Sequence, residues 1–267
     1  EMGFAQWKNL KLSAITTEDA KFVHREIGAS RGQYAANRAL ELLRALFNKA
    51  KEWKHYKGDN PTETVTMYVE RSRVRILQAD EFKRFFKALD EEEDKDIRDF
   101  VKLSLFTGAR KTNVLSMRWA DIDLKASLWT IPGEQSKNSE AHSIPLTSEE
   151  TRILRERKVW LAMKGKGQQI SPFVFPGKGK TGHLVEPKRA WRGLLERAEI
   201  ENLHLHDLRR SMASWMANSG ANVALIQSAM NHKDLKTTLT VYAHTVKDAE
   251  RNAREKAHKL MLGHKRK

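Results

Sequence analysis

The sequence predicts a mainly α-helical fold in two units, with one small antiparallel β-sheet in the second. Three observations carry that expectation. Apolar residues recur at helical spacing through most of the chain, a turn-forming and charge-rich stretch interrupts them between Lys57 and Arg75, and between Asp121 and Leu146 the period shortens to that of strands.

The first helix is expected from Thr16 to Ala29, where Ala20, Val23 and Ile27 share a face and Thr16-Thr17-Glu18-Asp19 offers a cap. A longer helix follows from Tyr34 to Trp53. Its stripe is Ala36, Leu40, Leu43, Phe47 and Ala50, with Arg38, Arg44, Lys49 and Lys51 lying off it. Lys57-Gly58-Asp59-Asn60-Pro61 ends that helical unit, because proline steers Asn60 away from helix. The charged segment Glu70-Arg71-Ser72-Arg73-Val74-Arg75 then reads as a linker, dividing the chain into units 1–69 and 70–267.

The second unit is expected to open with helices from Phe82 to Leu89 and from Ile97 to Phe106. Ile122, Leu124, Leu128, Trp129 and Ile131, then His142-Ser143-Ile144-Pro145-Leu146, read as short strands around a polar turn. Helical signals resume from Glu149 to Met163, from Lys188 to Ala198, from Leu208 to Asn218 with Gly220 as its stop, and from Val223 to Met230. Between Asp248 and Leu262 a stripe of Ala249, Ala253, Ala257, Leu260 and Met261 is too thin to stand alone in water and must dock on something. Trp119, Trp129, Trp160, Trp191 and Trp215 fall in apolar patterns and are expected in the core.

The 267 residues, 40% of them hydrophobic, are enough to build a real core. Lys and Arg number 49 against 34 Asp and Glu, a formal charge of +15 that suits a polyanionic partner, nucleic acid first. The absence of cysteine excludes disulfides, thiolate metal sites and cysteine nucleophiles. Apolar runs are short and broken by charge, and no basic-then-apolar leader opens the chain, so it reads as a cytoplasmic protein without a membrane segment. Its start, Glu1-Met2-Gly3-Phe4, leaves room for domains upstream.

Four short segments carry candidate chemistry, each weak when taken singly. Thr107-Gly108-Ala109-Arg110 puts an arginine where one helix ends and another begins, and a guanidinium there can fork two phosphate oxygens. The polar turn Glu134-Gln135-Ser136-Lys137-Asn138-Ser139 offers an ammonium that can protonate a leaving alkoxide. In His204-Leu205-His206-Asp207-Leu208-Arg209-Arg210, His206 and Arg209 are three apart, so one helical turn brings a proton acceptor beside a cation. Met230-Asn231-His232 ends a helix and is followed by Thr240-Val241-Tyr242.

In this order and company the segments resemble the tyrosine recombinase family of the phage-integrase kind. Its pattern runs Thr-Gly-x-Arg turn, hairpin lysine, His-x-x-Arg helix, Gly-His end and tyrosine, matched here by Arg110, Lys137, His206, Arg209, His232 and Tyr242. The resemblance covers about residues 72–250 as the catalytic domain, the unit 70–267 then carrying a C-terminal tail helix as well. It extends more loosely over residues 10–68 as a helical, SAM-like core-binding domain, and so implies a two-domain clamp on double-stranded DNA. It implies a site-specific recombinase that integrates or excises a mobile element or prophage through a 3′-phosphotyrosine on Tyr242. Neither metal nor cofactor is implied.

Two departures stand out. Asn113 takes the place of a frequent glutamate, and Asn231 that of the usual glycine, a substitution that still tolerates a left-handed cap. Arg31, Arg38 and Arg44 are the expected DNA contacts of the first unit. The tail stripe resembles the family's C-terminal helix, exchanged between subunits of a homo-tetramer on paired DNA sites, although packing on its own domain fits the stripe equally. A non-catalytic DNA-binding protein and a type IB topoisomerase-like enzyme remain the rival readings. An N-terminal arm-binding domain, frequent among integrases, has no counterpart in these residues.

Overall fold

The computed structural model describes residues 7–70, 75–135, 140–165 and 170–231, and in the tail residues 251, 254–255, 257–259 and 261–262. The chain divides into two units, residues 1–73 and 74–267.

In the first unit, α1 (Thr17–Arg31) starts at a reciprocal cap. The Thr16 hydroxyl accepts from the Asp19 N–H at 3.2 Å, and the Asp19 carboxylate accepts from the Thr16 N–H at 2.8 Å. Gly32, at φ 89°, turns the chain directly into α2 (Gln33–Glu52). Val23, Ile27, Ala36 and Ala39 form one buried cluster and Ala20, Leu40, Leu43 and Phe47 belong to another, so both helices bury the stripes their spacing predicts. Buried Asn37 then fastens the departing chain. Its amide donates to the Tyr68 carbonyl and the Glu70 carboxylate, both at 2.8 Å, while its oxygen accepts from the Tyr68 N–H and from the His24 ring, both at 3.0 Å.

The second unit opens with α3 (Phe82–Asp90), α4 (Lys95–Thr107) and the short α5 (Lys111–Leu115). A three-stranded antiparallel sheet follows in the order β1 (Ile122–Asp123), β2 (Leu128–Ile131) and β3 (His142–Pro145). Trp129 stands opposite both Ile122 and Ile144, and Ile131 opposite His142. Burial alternates along β2, Trp129 and Ile131 facing the core, as a sheet solvated on one side requires. Further along lie the helices α6 (Ser148–Lys164), α7 (Lys188–Arg197), α8 (Leu205–Asn218) and α9 (Val223–Ala229). Phe85, Phe100, Leu103, Leu154, Phe175, Leu194 and Leu208 are fully buried, each contributing about 1.5–3 kcal/mol by leaving water. No helix among the described residues is long and apolar enough to cross a membrane.

One cation lies inside this core. Arg157 on α6 is 0% exposed, its guanidinium 4.2 Å from the centroid of the Phe175 ring. Its Nε donates to the Val174 carbonyl at 2.6 Å, its Nη1 to Asp99 at 3.2 Å and its Nη2 to Asp96, so both the charge and the donors are answered. Lys95 adds a second cation to Asp99 at 2.9 Å.

The tryptophans divide. Trp129 and Trp191 are buried as expected, but Trp119, Trp160 and Trp215 are only half-buried. Cations cover two of them, Lys158 at 5.7 Å from the Trp119 centroid and Lys164 at 4.4 Å from that of Trp160. Trp215 lends its N–H to the Leu77 carbonyl at 3.2 Å. Of the tail stripe, Ala249, Ala253 and Leu260 lie outside the described residues, while Met261 is helical and exposed.

Replacing Arg157 by leucine leaves Asp96 and the Val174 carbonyl without their donor. The expected loss is about 3 kcal/mol or more, read as a thermal midpoint lowered by roughly 6–12 °C for a unit of this size. A midpoint within a degree of the parent's contradicts the structural role given to this ion cluster.

Candidate active site

The site is built where α4 ends. Gly108 takes the left-handed conformation, φ 60°, that closes the helix, and a Cβ there would stand 2.6 Å from the Met230 Cε and 3.2 Å from the Met212 Cγ. The turn therefore lies close against the methionines of α8 and the α9 end, and the left-handed backbone there favours glycine. Thr107 braces it by donating to the Leu103 carbonyl at 2.6 Å and accepting from the Ala109 N–H at 3.2 Å. Arg110 follows at the mouth of α5, half-buried, its Nη2 donating to the Asn231 carbonyl at 3.2 Å. Asn231 has φ 45°, the left-handed conformation for which asparagine was expected to substitute for glycine. Asn113, the other departure, is buried.

From the opposite side α8 presents Arg209, only 7% exposed. Its Nη1 donates to the Gly108 carbonyl at 2.7 Å and its Nη2 to the Met230 carbonyl. Burial first, and then the nearby charge of Arg110, push its guanidinium down to about 10. Among the described residues no carboxylate forms an ion pair with Arg110 or Arg209, so two cations share a site with no anion between them. Such a pair is poised to receive a dianionic or doubly oxygenated ligand, because an anion there relieves repulsion as well as forming bonds.

His206 lies one turn before Arg209 on α8. Solvent reaches its side chain, yet the surrounding protein and then the charges of Arg210 and Arg209 hold its imidazole below the ordinary histidine range, Asp207 opposing. A neutral imidazole beside two guanidiniums is fit to accept a proton. Asp207 holds the start of α8 by accepting from the His204 N–H at 2.8 Å, and accepts from Arg210 at 3.0 Å.

Arg110, His206 and Arg209 are thus brought to one place, while Lys137, His232 and Tyr242 lie outside the described residues. In the first unit Arg31 is the exposed last residue of α1. Arg38 pairs with Glu41 at 2.5 Å and Glu70 at 3.1 Å and stands 4.9 Å over the Tyr34 ring, and Arg44 donates to the Thr62 carbonyl at 2.9 Å. Sequence reasoning passed over His142 on β3. One of its ring nitrogens, Nε2, is buried with no hydrogen-bond partner among the described residues. Strand alternation was the only signal there, and it names a face of the sheet without naming what that face packs against.

A family model described as the phage integrase family matches residues 75–249. The chain is similar to the integrase of Salmonella phage P22, 28% identical over 210 residues that cover 77% of this chain and 52% of that protein. The prophage integrase IntF of Escherichia coli (strain K12) is 29% identical over 206 residues, 73% of this chain and 42% of that one. Tyrosine recombinase XerC of Xylella fastidiosa (strain 9a5c) is 32% identical over 178 residues, 65% and 57%. The chain spans about half the length of the curated relatives it matches. The fold is that of the Tn1549 transposon integrase solved with transposon right end DNA, with a TM-score of 0.73 and 17% identity over 93% of this chain and 87% of that one. A lambda integrase dimer bound to a COC′ core site gives a TM-score of 0.68 with 18% identity, covering 86% and 65%.

An NMR titration of His206 is expected to give a midpoint below the ordinary value of 6.5. The Arg210→Gln substitution removes a positive charge that favours the neutral ring, so the midpoint must rise. A midpoint that falls or stays put in that variant refutes the electrostatic account of His206.

Proposed function

The chain belongs to the phage integrase family, and on that premise we propose that it is a site-specific DNA recombinase that cuts and rejoins strands through Tyr242. The observation that carries this reading is the un-neutralised pair Arg110 and Arg209, anchored to the carbonyls of Asn231, Gly108 and Met230 and facing no carboxylate among the described residues. In the proposed reaction the two guanidiniums bind the non-bridging oxygens of the scissile phosphate, and His232 donates a further hydrogen bond to them. His206 takes the phenolic proton as the Tyr242 oxygen attacks phosphorus in line. The bond to the 5′ oxygen breaks, Lys137 supplies that oxygen with its proton, and a 3′-phosphotyrosine is left on the enzyme. Attack by a second 5′-hydroxyl reverses the sequence and restores the diester. The phosphoryl bond is conserved throughout, so the sequence of steps needs no external energy source.

The substrate is double-stranded DNA, and the biological event is integration or excision of a mobile element or prophage in the cytoplasm. A net charge of +15 supports binding to such a polyanion. Of the first unit's candidate contacts, Arg31 lies at the exposed end of α1. Arg38 and Arg44 reach phosphate only by exchanging the bonds they make to Glu41, Glu70 and Thr62. The working assembly is a homo-tetramer on paired sites, joined by exchange of the C-terminal helix, whose Met261 and Leu262 are exposed. The curated relatives are longer than this chain, so an N-terminal arm-binding domain is compatible with the reading.

The test is incubation with nicked duplexes that tile candidate attachment sites, followed by denaturing electrophoresis. A protein-DNA adduct that forms with the parent chain and vanishes in Tyr242→Phe is the expected result. Tight binding without adduct on any site points to a non-catalytic DNA-binding protein. Relaxation of plain supercoiled DNA without paired sites points instead to a topoisomerase-like enzyme.

A further inference from the structure

The segment by which the chain enters the second unit is fastened to α8 at both backbone polar groups of one residue. The Leu77 N–H donates to the Ser211 hydroxyl at 2.7 Å, and the Leu77 carbonyl accepts from the Trp215 indole N–H at 3.2 Å. The Ser211 hydroxyl in turn donates to the Asp207 carbonyl one turn back at 2.8 Å, so its proton is committed there and a lone pair is left for Leu77. Leu77 and Ser211 are both fully buried, which removes water as an alternative partner for the bond between them. Around this clasp Arg75 donates to the Glu81 carboxylate at 2.5 and 2.8 Å and to the Glu201 carbonyl at 3.2 Å, while Glu81 also accepts from the Gln78 N–H at 2.8 Å. The segment is neither helix nor strand, and these side chains hold it in place of a ladder.

At about 100° per residue, Asp207, Ser211 and Trp215 follow one another along one face of α8, whereas Arg209 lies on roughly the opposite face with His206 beside it. On the Arg209 side the helix is bonded to the Gly108 and Met230 carbonyls, and on the Ser211 side to Leu77. α8 is therefore held between the entering chain and the cradle of the two arginines. We propose that Ser211 and Trp215 are positioning residues for the active site, holding through Leu77 the turn of α8 that presents His206 and Arg209. The proposal rests on the recombinase reading for its catalytic consequence, and on the bonds to Leu77 for the contact itself. The N–H and the carbonyl of Leu77 belong to successive peptide planes, so bonding both fixes the dihedrals of the chain there as well as its distance from the helix. Because both partners stand on one face of α8, turning the helix about its axis carries them away from Leu77 together. The clasp thus resists the motion that would withdraw Arg209 from its carbonyls.

The experiment removes the bonds one at a time. Ser211→Ala leaves the Leu77 N–H without its acceptor, Ser211→Thr keeps the hydroxyl, and Trp215→Phe keeps an aromatic ring near Phe82 while removing the indole N–H. Single-turnover cleavage of a saturating nicked duplex is measured at a temperature where every variant is folded. In Ser211→Ala it is expected to slow about tenfold or more, since small displacements of a catalytic group cost that much. The Kd for the duplex is expected to stay at the parent value, and Ser211→Thr to recover most of the rate. A parent-like rate in Ser211→Ala, or a Kd that weakens while the saturated rate holds, overturns the proposal. Equal losses in the alanine and threonine variants assign Ser211 to packing and overturn it as well. Should Ser211→Ala not fold, Trp215→Phe decides by the same rate, expected to fall severalfold and overturning the proposal if it stays at the parent's. A second arm needs no catalysis. Burial is the largest influence holding His206 below 6.5, so a loosened first turn of α8 is expected to raise its NMR midpoint in the free Ser211→Ala or Trp215→Phe chain. A midpoint that stays put or falls overturns the proposal. Should the parent chain form no adduct on any duplex, the recombinase reading fails while this titration still decides whether the clasp positions the turn.

Discussion

Everything in the site depends on how Arg209 is buried. A guanidinium that is 7% exposed must have its donors satisfied, because an unpaired cation in the interior costs several kcal/mol. The protein meets that demand with two backbone carbonyls, those of Gly108 and Met230. Carbonyls satisfy hydrogen-bonding capacity without cancelling charge. The positive charge of Arg209 therefore remains available, and Arg110 beside it makes the surplus larger. Arg157 in the same unit is the informative contrast. It is buried more completely, yet Asp96 and Asp99 neutralise it, and its work is to hold α4 and α6 together. Two buried arginines thus have opposite roles, and the chemistry of their partners tells them apart.

That choice of partner constrains the local backbone. The Gly108 carbonyl can face Arg209 only because the chain takes a left-handed turn where a side chain would strike Met230 and Met212. The Met230 and Asn231 carbonyls can face the guanidiniums only because α9 stops at Ala229 and Asn231 then turns at positive φ. The glycine turn and the asparagine turn are two halves of one cradle, contributed by segments over a hundred residues apart in the chain. His206 completes it from one turn back on α8, held below the ordinary histidine range by burial and then by the charges of Arg210 and Arg209.

Local features of this design were legible in the sequence. The cap of α1 at Thr16, the apolar stripes of α1 and α2, the short antiparallel strands around a polar turn and the left-handed Asn231 all follow from spacing and residue type. Relations between distant segments were not. In the letters, Arg157 looks like any polar residue on an amphipathic helix, and its burial emerges only when Phe175 and Asp99 are brought around it. His142 is equally mute, since strand alternation names a face and not the cavity it borders with Met212 and Met230. Trp119 and Trp160 read as core because the lysines that cover them lie on another element or one turn away. Lys137, His232 and Tyr242 take their roles from motif order, and Arg110, His206 and Arg209 have geometry as well.

The central claim is that Arg209 serves at once as a scaffold for two segments and as an uncancelled cation for phosphate. The Arg209→Lys substitution separates charge from geometry, because an ammonium keeps the charge but cannot present two parallel N–H groups to carbonyls on opposite sides. Measuring thermal midpoint and adduct formation on a nicked duplex together, the account predicts that both fall while DNA affinity changes little. A lysine variant that is as stable as the parent and forms the adduct at the parent's rate would contradict it.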